Sequence, residues 1–128
     1  MKYLFLLLLS TALMAATCQH RKALPDGCFK GRLEIQAACM NYTIRVVDGN
    51  MDTSLIAATW TDESTGKSYK NVFELGSKCN FPDSIDGGEE FYFTIDTLTP
   101  QQCAVCLMYY PVPPKRLSIK VLSGACSQ

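Results

Sequence analysis

Seven cysteines, one histidine and a scatter of carboxylates are the residues of this chain with chemistry to offer. Cys103-Ala-Val-Cys106 has the C-x-x-C spacing of a thiol-disulfide redox pair. Such a pair works at the start of a helix, whose N-terminus favours the thiolate. Here Leu107-Met-Tyr-Tyr-Pro111 follows, with Pro113 and Pro114 beyond, and that stretch cannot begin a helix comfortably. Haem attachment would need histidine where Leu107 stands. Zinc would need a second pair of ligands close by, and Cys39 and Cys79 are isolated while His20 lies far upstream. The bland reading is favoured, with both cysteines serving as disulfide staples, either to other cysteines or in a tight loop within the motif. A thiol-disulfide activity of Cys103 and Cys106 stands as the enzymatic alternative.

The remaining chemistry is thin. Without a histidine between residues 28 and 126, no Ser-His or Cys-His pair can form there. Asp48-Gly-Asn-Met-Asp52 opens like a calcium loop, but Thr53 and Thr59 stand where glycine and glutamate are required, so a strand-exit turn explains it better. Asp83, Asp86, Glu89 and Glu90 read as a solvated acidic loop. Asn41-Tyr-Thr43 is an N-glycosylation triplet, with meaning only in a eukaryotic host. The expectation is a protein without catalysis, metal or cofactor. Tyr92, Tyr109 and Tyr110 are the candidate binding residues, because a tyrosine offers a broad apolar face and a polar tip.

The N-terminal residues give the address. Lys2 precedes an apolar run, 4–9, followed by small residues and Cys18. That is the pattern of a secretory signal, 1–17, too short in its apolar part for a membrane span. The leader and Cys18 together resemble those of bacterial lipoproteins, whose first mature residue is a lipid-modified cysteine. Ala15-Ala-Thr17 departs from the strict form of that pattern, which favours an aliphatic residue at the first of these positions. The resemblance implies lipidation at Cys18, a tether over 18–27, and anchoring in the cell envelope at the outer membrane. Secretion or a periplasmic location is the alternative. Several buried acyl chains hold a protein stably, at about 0.8 kcal/mol for each CH₂.

Beyond the leader about 110 residues remain, enough for one domain. The whole chain carries 12 basic and 12 acidic residues, and losing Lys2 leaves it slightly acidic. That balance argues against nucleic acid, whose phosphates select basic surfaces. The expected partners are the membrane, through the anchor, and an unidentified protein or glycan.

The elements that must position these residues have a period of two. Leu33, Ile35 and Ala37 alternate with polar neighbours, as do Tyr42, Ile44 and Val46. Phe91, Phe93 and Ile95 mark the clearest strand, and 116–122 the last. Segments 55–61 and 67–75 read as strands joined by the turn Asp62-Glu-Ser-Thr-Gly66, and 104–110 as one more strand. The best case for a short helix or irregular turn is 77–85. The expected fold is therefore all-β, a small barrel of five to six strands over 28–126, supported by disulfides. The segment Ile85-Asp-Gly-Gly-Glu-Glu-Phe-Tyr-Phe-Thr-Ile95 resembles the glycine-acidic turn opening the fourth strand of OB-folds. Netrin-type OB modules of secreted eukaryotic proteins give a further alternative, and a sandwich survives because Trp60 lies between Cys39 and Cys79.

Cys28, Cys39, Cys79, Cys103, Cys106 and Cys126 are the disulfide candidates, and sequence leaves their pairing open. Cys28 with Cys126 is the favoured pair. It would close nearly the whole domain into a loop, worth about 4–5 kcal/mol by chain entropy. Cys18 is then the odd cysteine.

Overall fold

A computed structural model describes residues 22–127. The leader and Cys18 lie outside that range. Seven strands form one sheet, and the described residues hold no α-helix. They are β1 (Cys28–Gln36), β2 (Tyr42–Asp48), β3 (Ala57–Thr61), β4 (Ser68–Leu75), β5 (Glu90–Ile95), β6 (Arg116–Leu117) and β7 (Ile119–Val121). Single 3-10 turns occupy Ala38–Met40, Thr53–Leu55 and Lys78–Asn80. The all-β expectation holds: 55–61 and 67–75 supply the separate strands β3 and β4, and the terminal segment 116–122 is broken into two strands at Ser118.

The pairing order is β3-β4-β2-β1-β5-β7, with β6 paired to β4. All pairs are antiparallel except β4 with β6, which is parallel. The terminal segment is held from both sides. Gly76 N donates to Leu117 O at 2.9 Å, and Asp96 N donates to Ser118 O at 3.0 Å. Ser77, buried just after β4, donates from Oγ to Ile119 O at 2.8 Å and accepts from Ile119 N at 2.9 Å. A side chain thus replaces a strand where β4 has ended, and it satisfies backbone groups that burial would otherwise leave unpaired.

The period of two builds the core. Phe29 and Leu33 of β1, Ile44 and Val46 of β2, Phe73 and Leu75 of β4, Phe91 and Phe93 of β5, Leu117 and Ile119 pack in one cluster. Phe93 is the hub, with ring centroids 5.4 Å from Phe29, 5.9 Å from Phe73 and 6.0 Å from Phe91. Gly31 makes the crowding possible: a Cβ there would lie 2.9 Å from Phe93 Cε1. The register of β1 on β2 shifts at Lys30/Gly31 and again at Leu33/Ile35, bending β1 around the aromatic cluster. Asp48-Gly49 leaves β2 as a turn, with Gly49 at φ 107° and its N–H donating to Asp48 Oδ1.

Segment 104–110 is not a strand. Pro111, Pro113 and Pro114 follow it, and the described backbone hydrogen bonds do not link it to any neighbouring strand. It runs instead as part of a strap, residues 101–115, joining the end of β5 to β6.

Three disulfides fix the arrangement. Cys28–Cys126 joins the start of β1 to the chain's end, as favoured from the sequence. Cys39–Cys106 and Cys79–Cys103 tie the strap to the 3-10 turns after β1 and β4. Frameworks of this density belong to proteins that mature in oxidising, non-cytoplasmic surroundings.

Candidate functional site

The C-x-x-C sulfurs are bonded to different partners rather than to each other. The tight loop within the motif is therefore corrected, and the spacing has another meaning. Cys103 and Cys106 are two anchors, three residues apart, that rivet one strap to two turns of the sheet. Redox chemistry of the C-x-x-C kind would need the two thiols to close on each other.

Further contacts fix the strap beyond the cysteines. Asn41 Nδ2 donates to Met108 O at 2.8 Å and to Ala38 O at 2.9 Å. The Asn41 Oδ1 accepts from Lys78 Nζ at 3.1 Å. The glycosylation triplet thus has a structural use: the Asn41 amide nitrogen holds the strap at Met108 while its oxygen is taken by Lys78 of the turn after β4. Gln101 Oε1 accepts from Cys79 N at 3.0 Å. Farther along, Tyr110 donates from its phenol to Asp62 Oδ2 at 3.1 Å.

Asp62 opens the turn between β3 and β4 and is 1% exposed. Its Oδ1 accepts from Ser64 N at 2.9 Å and Ser64 Oγ at 2.7 Å, and Oδ2 accepts from Thr65 Oγ1 at 3.0 Å. Burial raises its pKa and is the largest single influence, but the donors from Ser64, Thr65 and Tyr110 together outweigh it, and the carboxyl sits below its ordinary value.

Between these fixed points the strap turns apolar side chains to solvent. Leu107 is 97% exposed, Tyr109 83% and Met108 62%, with Val105 exposed beside them. A groove of about 610 Å³ runs between this stretch and the end of β4 and start of β6. Its charged lining is Glu74, Lys78 and Arg116. Arg116 donates from Nε and Nη2 to the two oxygens of Glu74 at 2.9 and 2.8 Å, and Lys78 Nζ lies 3.6 Å from Glu74 Oε1. Bonding to Glu74 raises the Arg116 pKa further above its ordinary range.

The three candidate tyrosines do not form one surface. Tyr109 and Tyr110 line the groove of the strap, whereas Tyr92 lines a second cavity, of about 540 Å³, beside Phe91 and Val121. Tyr92 is half-buried on β5, with Lys30 Nζ 5.9 Å above its ring. Within the strap the adjacent tyrosines divide the work, Tyr110 fastening and Tyr109 facing out. Sequence reasoning missed Leu107, Met108 and Val105, because apolar residues near β-like segments read as core. The proline run was the available sign that this stretch would leave the sheet. Matches were sought among protein-family models and among curated proteins, and neither comparison yields one for this chain.

Proposed function

We propose that the chain is an exported, lipid-anchored binding module of the bacterial cell envelope, acting without catalysis through its strap. The observation that carries this reading is the exposure of Leu107, Met108 and Tyr109 on a segment held by two disulfides. Scattered apolar residues on a surface are ordinary, whereas a run of them is the mark of an interaction site. Fixing the strap before a partner arrives removes much of the ordering entropy that association otherwise costs. The expected partner is a protein of the envelope, which an apolar patch favours over a glycan.

Two further features support the reading. The strand pairing from β4 through β2, β1 and β5 returns to β4 by way of 116–121, the connectivity expected of an OB-like barrel with β3 added outside it. All six cysteines from Cys28 onward are consumed by disulfides, so Cys18 has no cysteine of its own chain left to pair with. Lipidation gives that residue a use.

The test is site-specific photo-crosslinking in the envelope. A photoreactive residue at Leu107 is expected to trap a discrete partner, and the same residue at Lys70, exposed on β4, to trap none. Identical results at both positions would overturn the strap as the contact surface. The mass of the mature N-terminal peptide checks the anchor: an unmodified Cys18 would remove it.

A further inference from the structure

We infer that the groove beside the strap takes an acidic, apolar segment of a partner protein; this rests on the strap being the contact surface. Two features of the groove choose the occupant. One wall is apolar, formed by Val105, Leu107, Met108 and Tyr109, and asks for aliphatic or aromatic side chains. The charged lining is unbalanced, because Lys78 and Arg116 share the single carboxylate of Glu74. One positive charge is left over.

The location of that surplus follows from the hydrogen bonds. Lys78 also donates to Asn41, and its side chain is only 17% exposed, so it is largely enclosed. Arg116 commits Nε and Nη2 to Glu74, which leaves the Nη1 donors uncommitted among the described residues, on a side chain 65% exposed. A guanidinium already held flat by one carboxylate loses little freedom on receiving a second. Glu74 thus orients Arg116 as well as neutralising part of the groove. A carboxylate on the incoming segment would bond Arg116 while neighbouring apolar side chains cover Leu107 and Tyr109. A basic segment would meet the surplus charge and leave the Nη1 donors unanswered.

The probes are three labelled synthetic peptides alternating Leu and Phe with Glu, Gln or Lys. Their binding to the full disulfide-bonded protein is read by fluorescence anisotropy at low and high salt. The Glu peptide is expected to bind about fivefold tighter than the Gln peptide, the scale of one partly exposed ion pair, with the Lys peptide weakest. The preference should shrink at high salt. It should vanish in Arg116→Gln, which removes both the surplus charge and the Nη1 donors, and weaken in Lys78→Gln, which removes one charge but leaves those donors, while Lys115→Gln, outside the groove lining, keeps it. Equal affinity for the Glu and Gln peptides would overturn the acidic preference and leave the apolar surface standing. No peptide binding, with a partner still trapped at Leu107, would overturn the groove's occupant alone. Loss of both signals would overturn the proposed function as well.

Discussion

The Tyr110 phenol donates to Asp62 Oδ2 at 3.1 Å, linking residues 48 positions apart and locking the end of the strap to the turn between β3 and β4. Ser64 Oγ sits 2.7 Å from Asp62 Oδ1 and 3.0 Å from the phenol oxygen, and its single hydrogen goes to the nearer carboxylate. The result is a buried carboxylate whose donors come from its own turn and from a distant loop. The strap is therefore fastened at both ends, by sulfur at 103 and 106 and by this cluster at 110.

Tyr110→Phe keeps the ring and removes only the donor. The expected loss is about 1 kcal/mol of stability by chemical denaturation, the net worth of one such hydrogen bond. Because Asp62 has a lowered pKa, its stabilising effect is present above its unfolded value of 3.8 and disappears as pH falls through the lower folded value. Removing Tyr110's hydroxyl removes one of the influences that lower it. The acid limb of the stability profile should therefore be smaller in the variant and end at higher pH, while its start stays where the unfolded carboxyl titrates. Superimposable acid limbs would show that Tyr110 is not bonded to the ionised carboxylate.

Gly31→Ala tests the packing around Phe93. The added Cβ would meet Phe93 Cε1 at 2.9 Å, and Ile44 Cγ2 and Phe91 Cζ at 3.2 Å each. Gly31 has no positive φ, so the effect is purely steric. All three neighbours are buried, with little room to yield. Overpacking of this kind costs about 1–3 kcal/mol, measurable as a drop in the denaturation midpoint. A variant as stable as the parent would mean that Phe93 can shift aside.

The disulfides should be reduced in a fixed order. Cys103 and Cys106 are exposed, whereas Cys28 is buried at the start of β1. Thiol attack requires access to sulfur. Graded reduction followed by alkylation and peptide mapping is expected to label 79 with 103 and 39 with 106 before 28 with 126. Replacing the last pair by alanines should cost about 4–5 kcal/mol, because its loop spans 98 residues. Labelling of Cys28 first would contradict its burial.

Much of this fold was legible in the alternation of residues such as Phe91, Phe93 and Ile95, since a strand with one buried face has that spacing. The pair Cys28–Cys126 was legible because the two cysteines bracket the domain. The strap was not. Its Val105, Leu107 and Tyr109 alternate like a strand, and the pattern carries no record of whether a sheet edge is available to receive it. Here Arg116 and Leu117 take the place beside β4, and the prolines keep the strap out of the sheet. The split between Tyr109 and Tyr110 was hidden for a different reason. It depends on Asp62, a residue that turn chemistry alone explains from sequence.

Leu107→Ser with Tyr109→Ser separates surface from scaffold. Leu107 is almost wholly exposed, and Tyr109 makes no side-chain hydrogen bond among the described residues. Surface changes of this kind leave stability within about 0.5 kcal/mol. The double variant should therefore melt like the parent while failing to trap the partner through a photoreactive residue at Met108. Tyr110→Ala, one position on, should show the opposite balance, with a lower melting temperature from the broken bond to Asp62 and from the lost packing of a half-buried ring. If the double variant proved the less stable of the two, the strap would be covered by the fold itself, and its apolar side chains would be packing residues with no partner to receive.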